Sequence, residues 1–194
     1  IWDELRVELN VGQYLDIVGT AQRQRARSGA ERIARYKSGK YTVERPLHLG
    51  AMLAAPERSV PLLDALSAYG LPVGDAFQLR DDVLGVFGDQ QVTGKPVGDD
   101  LREGKPTPLL SMATERATRE QRAVLSRVGA ADLSDDEVAA MQAVIIDTGA
   151  LDAMEAKIGR LTVEAIAALS HIEIDGLAKA ELTELAVYMA RRDK

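Results

Sequence analysis

An all-α fold is what this sequence predicts, on three observations. Apolar residues recur at three- and four-residue steps along most of the chain. The Val/Ile alternation of paired strands is missing. The residues are 46% hydrophobic but only 4% aromatic, so the core must be built from Ala, Leu, Val and Ile, a mix that favours helices. A chain of 194 residues allows one sizeable core, so a single domain over residues 1–194 is expected.

Leu5, Leu9, Tyr14, Leu15 and Val18 keep helical spacing and predict a first helix over residues 2–21. A basic stretch follows, with Arg23, Arg25, Arg27, Arg32, Arg35, Lys37 and Lys40, and with breaks or bends expected at Ser28-Gly29 and Ser38-Gly39. Apart from Lys37, a solvated charged face is its better reading. Pro46 suits the first turn of a short helix that runs to Ala55 and is stopped by Pro56. Residues 57–88 form a long helical pattern, in which Pro72 predicts a kink or short interruption near Gly70. Between residues 88 and 108, four glycines and three prolines predict a loop, and a loop of that length inside a domain suggests a lid. Thr118-x-x-Gln121 and Ser134-x-x-Glu137 read as capping boxes that open two helices. Two more helices are expected over residues 151–169 and 177–190.

Composition narrows the chemistry. A net charge of −6 argues against a nucleic-acid partner held by counterion release. The absence of Cys removes disulfides and thiolate chemistry and leaves a reducing cytoplasm as the unforced setting. His48 and His171 are too far apart in sequence for a paired zinc spacing, and His48 reads as a satisfied, partly buried histidine. No apolar run approaches a membrane span, so no stable membrane anchor is expected. The Met residues read as filler between helices. Asp135-Asp136 reads as helix N-terminal charge rather than a metal motif.

The most informative stretch is Phe77-Gln78-Leu79-Arg80-Asp81-Asp82-Val83-Leu84-Gly85. On a helix, Asp81 and Asp82 point in adjoining directions and Gln78 lies one turn earlier on much the same side. Two adjacent carboxylates among apolar neighbours are costly without a counter-charge. Mg²⁺ would supply one, since it is held by one or two carboxylates with waters and substrate phosphate oxygens completing its shell. From spacing alone, a solvated face with Arg80 as neighbour explains the pair equally well.

The neighbouring motifs decide between the two. Gly12-Gln13-x-Leu15-Asp16, Tyr36-Lys37-Ser38-Gly39, Phe77-Gln78-x-x-Asp81-Asp82, and Gly94-Lys95 with Gly98-Asp99-Asp100-x-x-x-Gly104-Lys105 resemble, in order and spacing, the trans-isoprenyl diphosphate synthases of the farnesyl and geranylgeranyl group. That resemblance implies an antiparallel helix bundle of the isoprenoid synthase type. It also implies a Mg²⁺-dependent prenyltransferase that joins isopentenyl diphosphate to an allylic diphosphate, with a homodimer as its assembly. Asp81 and Asp82 match the start of the family's second aspartate-rich motif, with Asp81 the strongest metal ligand. The usual third aspartate of that motif falls at Gly85, a departure for which only Asp89 is within compensating reach along the helix. Lys37 matches the lysine that contacts the allylic diphosphate, Ser38 stands for the usual Thr near the nascent cation, and Gln78 faces the same centre. Lys95 matches a diphosphate-binding lysine, Asp100 and Lys105 outer metal and diphosphate contacts, and Gln13 and Asp16 polar residues lining the pocket.

The family's first aspartate-rich motif has no match ahead of Gly12-Gln13, and the chain opens at Ile1 without Met. The expectation is a fragment of a longer enzyme, one that does not turn over as given and whose product length is undetermined. A non-catalytic synthase-like subunit that modulates a complete partner is the alternative, motivated by Gly85 and the missing N-terminal half. A class I terpene cyclase ranks lower, because the later Asn/Ser/Glu metal motif of that group is not found. Arg191-Arg192-Asp193-Lys194 resembles a basic terminus that folds over the site in some relatives, with a frayed tail as the preferred reading.

Overall fold

Helix-forming patterns in the sequence become eleven α-helices among the described residues of the computed structural model, which are 1–22, 27–54, 56–94 and 96–193; no strand occurs among them. Helix α1 (Trp2–Ala21) carries Asp3 and Glu4 in its first turn, where carboxylates favour the helix dipole. Its apolar residues do not all lie on one buried side. Leu5 is buried, whereas Val7, Val11 and Tyr14 are exposed. Arg23 and Arg25 lie outside the described residues. Ser28 and Gly29 do not break the chain but fall in the first turn of α2 (Arg27–Ala34).

At Ser38-Gly39 the chain does not break but winds into a widened turn. Residues Arg35–Glu44 are π-helical and run without interruption into α3 (Arg45–Ala54). A 3₁₀ turn (Pro56–Arg58) then leads into α4 (Ser59–Phe87), which continues through Pro72 with no break in its helical assignment.

The segment 88–108 is only partly the loop that its composition suggests. It contains α5 (Gln90–Thr93) and α6 (Asp99–Glu103), each closed by a left-handed glycine, Gly94 at φ 70° and Gly104 at φ 73°. Those glycines terminate helices rather than exclude them. Next come α7 (Pro108–Arg116) and α8 (Arg119–Leu125), and then α9 (Asp135–Asp147). Helix α10 (Ala150–Leu169) and α11 (Gly176–Arg191) complete the chain. Both capping boxes are present in full, at Thr118/Gln121 and at Ser134/Glu137.

The residues group into two compact units, each drawn from separated stretches: 1–14, 33–80 and 157–192 in the first, 15–32, 81–156 and 193–194 in the second. The first has a core of Val43, Ala51, Leu66, Tyr69, Val73, Ala165, Leu169, Ile172 and Ala186. The Tyr69 hydroxyl donates to the Leu182 carbonyl at 2.7 Å, and burial pushes its pKa up to about 12. The second buries Leu101, Leu109, Leu110, Leu125, Met141, Ile145 and Met154. Methionines 141 and 154 thus act as core filler, as the sequence suggests. No helix among the described residues is long and apolar enough to cross a membrane.

Candidate active site

In the first unit, the motif residues around Lys37 are set by main chain meeting main chain. A Cβ added to Gly12 of α1 would lie 2.5 Å from the Lys37 backbone nitrogen and 2.8 Å from its Cα. On α4, a Cβ on Gly74 would overlap the Gly39 carbonyl and come within 2.7 Å of its Cα. The π-helical stretch that carries Lys37 therefore passes against glycines of α1 and α4, and π turns recur at functional positions. Lys37 itself is half-buried. The Ser38 side chain lies outside what the structure describes.

A buried polar network holds the far end of the same stretch. Glu8 of α1 accepts from Arg45 at both oxygens, 2.8 Å each, and pairs with Lys40. Burial pushes Glu8 up, but Arg45 and Lys40 outweigh it and leave the carboxyl below its ordinary range. Glu44, also buried, accepts from Ser67 Oγ at 2.8 Å. His48 Nε2 lies 3.1 Å from the Leu63 carbonyl and 2.9 Å from Ser67 Oγ, and Arg45 lies 3.3 Å from Nδ1. Both ring nitrogens are engaged by protein groups, which is the structural histidine expected at this position. The sequence pattern does not reveal Glu8 as a member of this network, because its partners lie more than thirty residues away.

Gln78 is half-buried on α4, one turn before the aspartates. Its neighbour Phe77 is covered by the Arg192 guanidinium, 4.0 Å from the ring centroid, and Arg80 Nε donates to the Ala190 carbonyl at 2.7 Å. The end of α11 is therefore tied to the Phe77-Gln78 turn rather than frayed. Gln13 is exposed and Asp16 half-buried on α1.

In the second unit, Asp81 is exposed and Asp82 buried. Gln142 Nε2 of α9 donates to the Val86 carbonyl at 2.6 Å. Asp100, 5% exposed, lies against α4 at Gly85: a Cβ there would meet Asp100 Oδ1 at 2.9 Å and its Cγ and Oδ2 more closely still. Asp100 also accepts from Lys105 Nζ. Burial pushes Asp100 up, opposed by Lys105 and reinforced by the negative charge of Asp81. Lys105 is shifted up because the pull of Asp100 and Glu103 exceeds the cost of burying the ammonium. Asp89, the compensating residue suggested by the sequence, instead caps α5 by accepting from the Gln91 amide at 2.8 Å.

Lys95 lies outside the described residues. Beyond it, the segment is anchored rather than lid-like. Leu101 is buried, the Gly129 amide donates to the Leu101 carbonyl at 2.9 Å, and Arg102 donates to the Leu133 carbonyl at 2.9 Å.

The donor set suits a hard divalent cation. No three carboxylates or imidazoles among the described residues form a ready cage. Mg²⁺ does not require one, because phosphate oxygens and waters usually complete its shell. Asp81, Asp82 and Asp100 offer only oxygens, and Lys105 offers a compact positive charge for a phosphate.

Known proteins resemble this chain in sequence and in fold. The chain is 35% identical over 163 residues to the geranylfarnesyl diphosphate synthase of Aeropyrum pernix, covering 84% of this chain and 49% of that protein. It is 37% identical over 148 residues to a (2E,6E)-farnesyl diphosphate synthase of Mycobacterium bovis, covering 74% and 41% respectively. The chain thus spans about half or less of these curated relatives. The crystal structure of geranylgeranyl pyrophosphate synthase from Corynebacterium glutamicum, complexed with isoprenyl diphosphate and magnesium, superposes with a TM-score of 0.93 at 41% identity. The match covers 98% of this chain and 54% of that one, so the all-α isoprenyl synthase fold is shared. The polyprenyl synthetase profile matches residues 1–145, and the chain belongs to that family.

Proposed function

We propose that this chain is the second-aspartate portion of a prenyltransferase that condenses isopentenyl diphosphate with an allylic diphosphate, residues 1–194 forming part of one polyprenyl synthase domain. The observation that carries the reading is the seating of the Asp100 carboxylate, paired with Lys105, against α4 at Gly85, one helical turn beyond Asp81. When bound, Mg²⁺ would stabilise negative charge on the departing diphosphate. Asp81, Asp82 and Asp100 would hold the metal, while Lys37, Lys95 and Lys105 would bind diphosphate oxygens directly.

In the reaction, the allylic carbon–oxygen bond breaks with its electron pair leaving on diphosphate. The isopentenyl double bond then attacks the allylic carbon, and a proton is lost to the released diphosphate. Gln78 and Ser38 would face the cationic carbon with neutral oxygens, and Gln13 and Asp16 would line the pocket. The seating of Asp100 against Gly85 bears on only one of the two grounds for a non-catalytic subunit, the other being the unmatched first aspartate-rich motif. The setting is cytoplasmic and the assembly a homodimer. Support for a second copy comes from α1, where Val7, Val11 and Tyr14 are exposed at helical spacing on one side.

The test incubates the full-length protein with Mg²⁺, isopentenyl diphosphate and each allylic primer, and compares Asp81→Ala. A loss of about a hundredfold or more in turnover is expected, the scale of removing one electrostatic contributor to a transition state. Turnover retained in the variant would remove Asp81 from the metal role.

A further inference from the structure

The first unit carries a cavity of about 810 Å³ that is lined by none of the residues assigned to prenyl transfer. On one side of it lie the 3₁₀ turn and the start of α4, on the other the segment that joins α10 to α11. A volume in that range is typical of sites for small organic molecules. Gln78 lies roughly 25 Å further along α4, at about 1.5 Å per residue, so cavity and reaction site are separate places on one helix.

The walls are apolar because Leu62, Ala65 and Ile174 lie half-buried on the outer side of the first unit's core. Alternation along residues 172–175 shapes the rim: Ile172 is buried and Ile174 half-buried, while Glu173 and Asp175 are exposed. Glu57 adds a third carboxylate from the 3₁₀ turn. Asp175 is partly engaged, since it caps α11 by accepting from the Leu177 amide at 2.8 Å. Glu57, Glu173 and the His171 ring have no hydrogen-bond or ion-pair partner among the described residues. No lysine or arginine is among the described residues that line the cavity.

Charge and chemistry together select the occupant. Unneutralised carboxylates repel diphosphates and other anions, which argues against a second site for the substrates or products of prenyl transfer. A bare metal ion is no better suited, because no three carboxylates or imidazoles among the described residues are placed to hold one. A cation with an apolar body satisfies both halves of the site. Its charge meets Glu57 and Glu173, and its hydrocarbon covers Leu62, Ala65 and Ile174. We propose that this cavity is a binding site for amphiphilic ammonium compounds, protonated amines that carry an alkyl chain or ring. The site goes beyond the prenyltransferase reading and stands without it.

The experiment titrates the full-length protein, isotopically labelled at its Ile, Leu and Ala methyls, with octylammonium, octan-1-ol and octanoate, followed by methyl NMR. Octylammonium should shift the Leu62, Ala65 and Ile174 methyls saturably, with a half-point on the order of a millimolar or lower, as the binding energy per atom of so small a ligand allows. It should bind roughly tenfold more tightly than octan-1-ol, the scale of pairing one ammonium with two exposed carboxylates. Octanoate should leave these methyls unmoved. In Glu57→Gln/Glu173→Gln the advantage of octylammonium over octan-1-ol should disappear. Ala65→Phe should abolish binding of both by filling the space, and if that variant does not fold, the glutamine pair decides alone.

Octanoate binding as well as octylammonium would overturn the proposal, as would an undiminished preference for octylammonium in the glutamine pair. Shifts confined to methyls outside the cavity, or no saturable shift with octylammonium, would overturn the site itself.

Discussion

His48 sits where its charged form is disfavoured. Burial lowers its pKa, Glu44 opposes that shift, and the nearby Arg45 adds to it. The folded state therefore holds the ring neutral at pH values where the unfolded chain would already bind a proton. Its contribution to stability is complete above the ordinary histidine value of about 6.5 and is lost as pH falls through the lowered folded value. Glu8 has the same sign at lower pH, since its carboxyl is held below its ordinary range. We expect the melting temperature to fall between pH 7 and pH 5.5 and the slope in that window to flatten in His48→Gln, read by thermal denaturation across the series. An unchanged slope would remove His48 as its source. A satisfied His48 was legible in the sequence, because a single imidazole on an apolar helix has few other stable outcomes. The identity of its partners was not, since Leu63 and Ser67 come from α4, a different element from the one that carries the ring. Asp89 and Asp100 show the same limit. Distance along the chain pointed to Asp89, whereas three-dimensional packing delivers Asp100 to Gly85.

Where helices end is decided by local chemistry, and there the sequence was most readable. Thr118 and Ser134 were expected to cap because a hydroxyl at that position accepts from the third amide, and the Gln121 and Glu137 side chains return the bond. Ser134→Ala should cost about 1 kcal/mol of stability. Denaturant unfolding reads that loss, and a variant as stable as the parent would show the cap to be redundant with the Arg127–Glu137 pair. Two element-scale features were not legible. Dense glycine and proline between residues 88 and 108 suggested a loop, yet Gly94 and Gly104 serve as left-handed stops for short helices. The π-helical stretch at Arg35–Glu44 leaves no mark in its own periodicity, because the close approaches that accompany it come from Gly12 and Gly74 on other helices.

At the scale of the whole molecule, each unit is assembled from stretches far apart in the chain, so the grouping cannot be read from any one window of sequence. The ordered set of short motifs nevertheless identified the family, because each pairs a polar function with a fixed helical spacing. The exposed apolar side of α1 gives an assembly-level expectation. Under the proposed homodimer, Val11→Glu should shift the full-length protein to a monomer, because a charge in a desolvated apolar contact is poorly tolerated. Sedimentation velocity reads the change, and a dimer that persists in the variant would place the contact elsewhere.

The glycine contacts at Lys37 bear on how this protein can diverge. Where a turn is located by side chains, each neighbour that mutates shifts it a little. Here the turn is gripped by peptide groups of α1 and α4 at Gly12 and Gly74, and no rotamer can yield to relieve an intruding methyl. Side chains elsewhere around the turn are consequently free to drift while the main chain at Lys37 keeps its station.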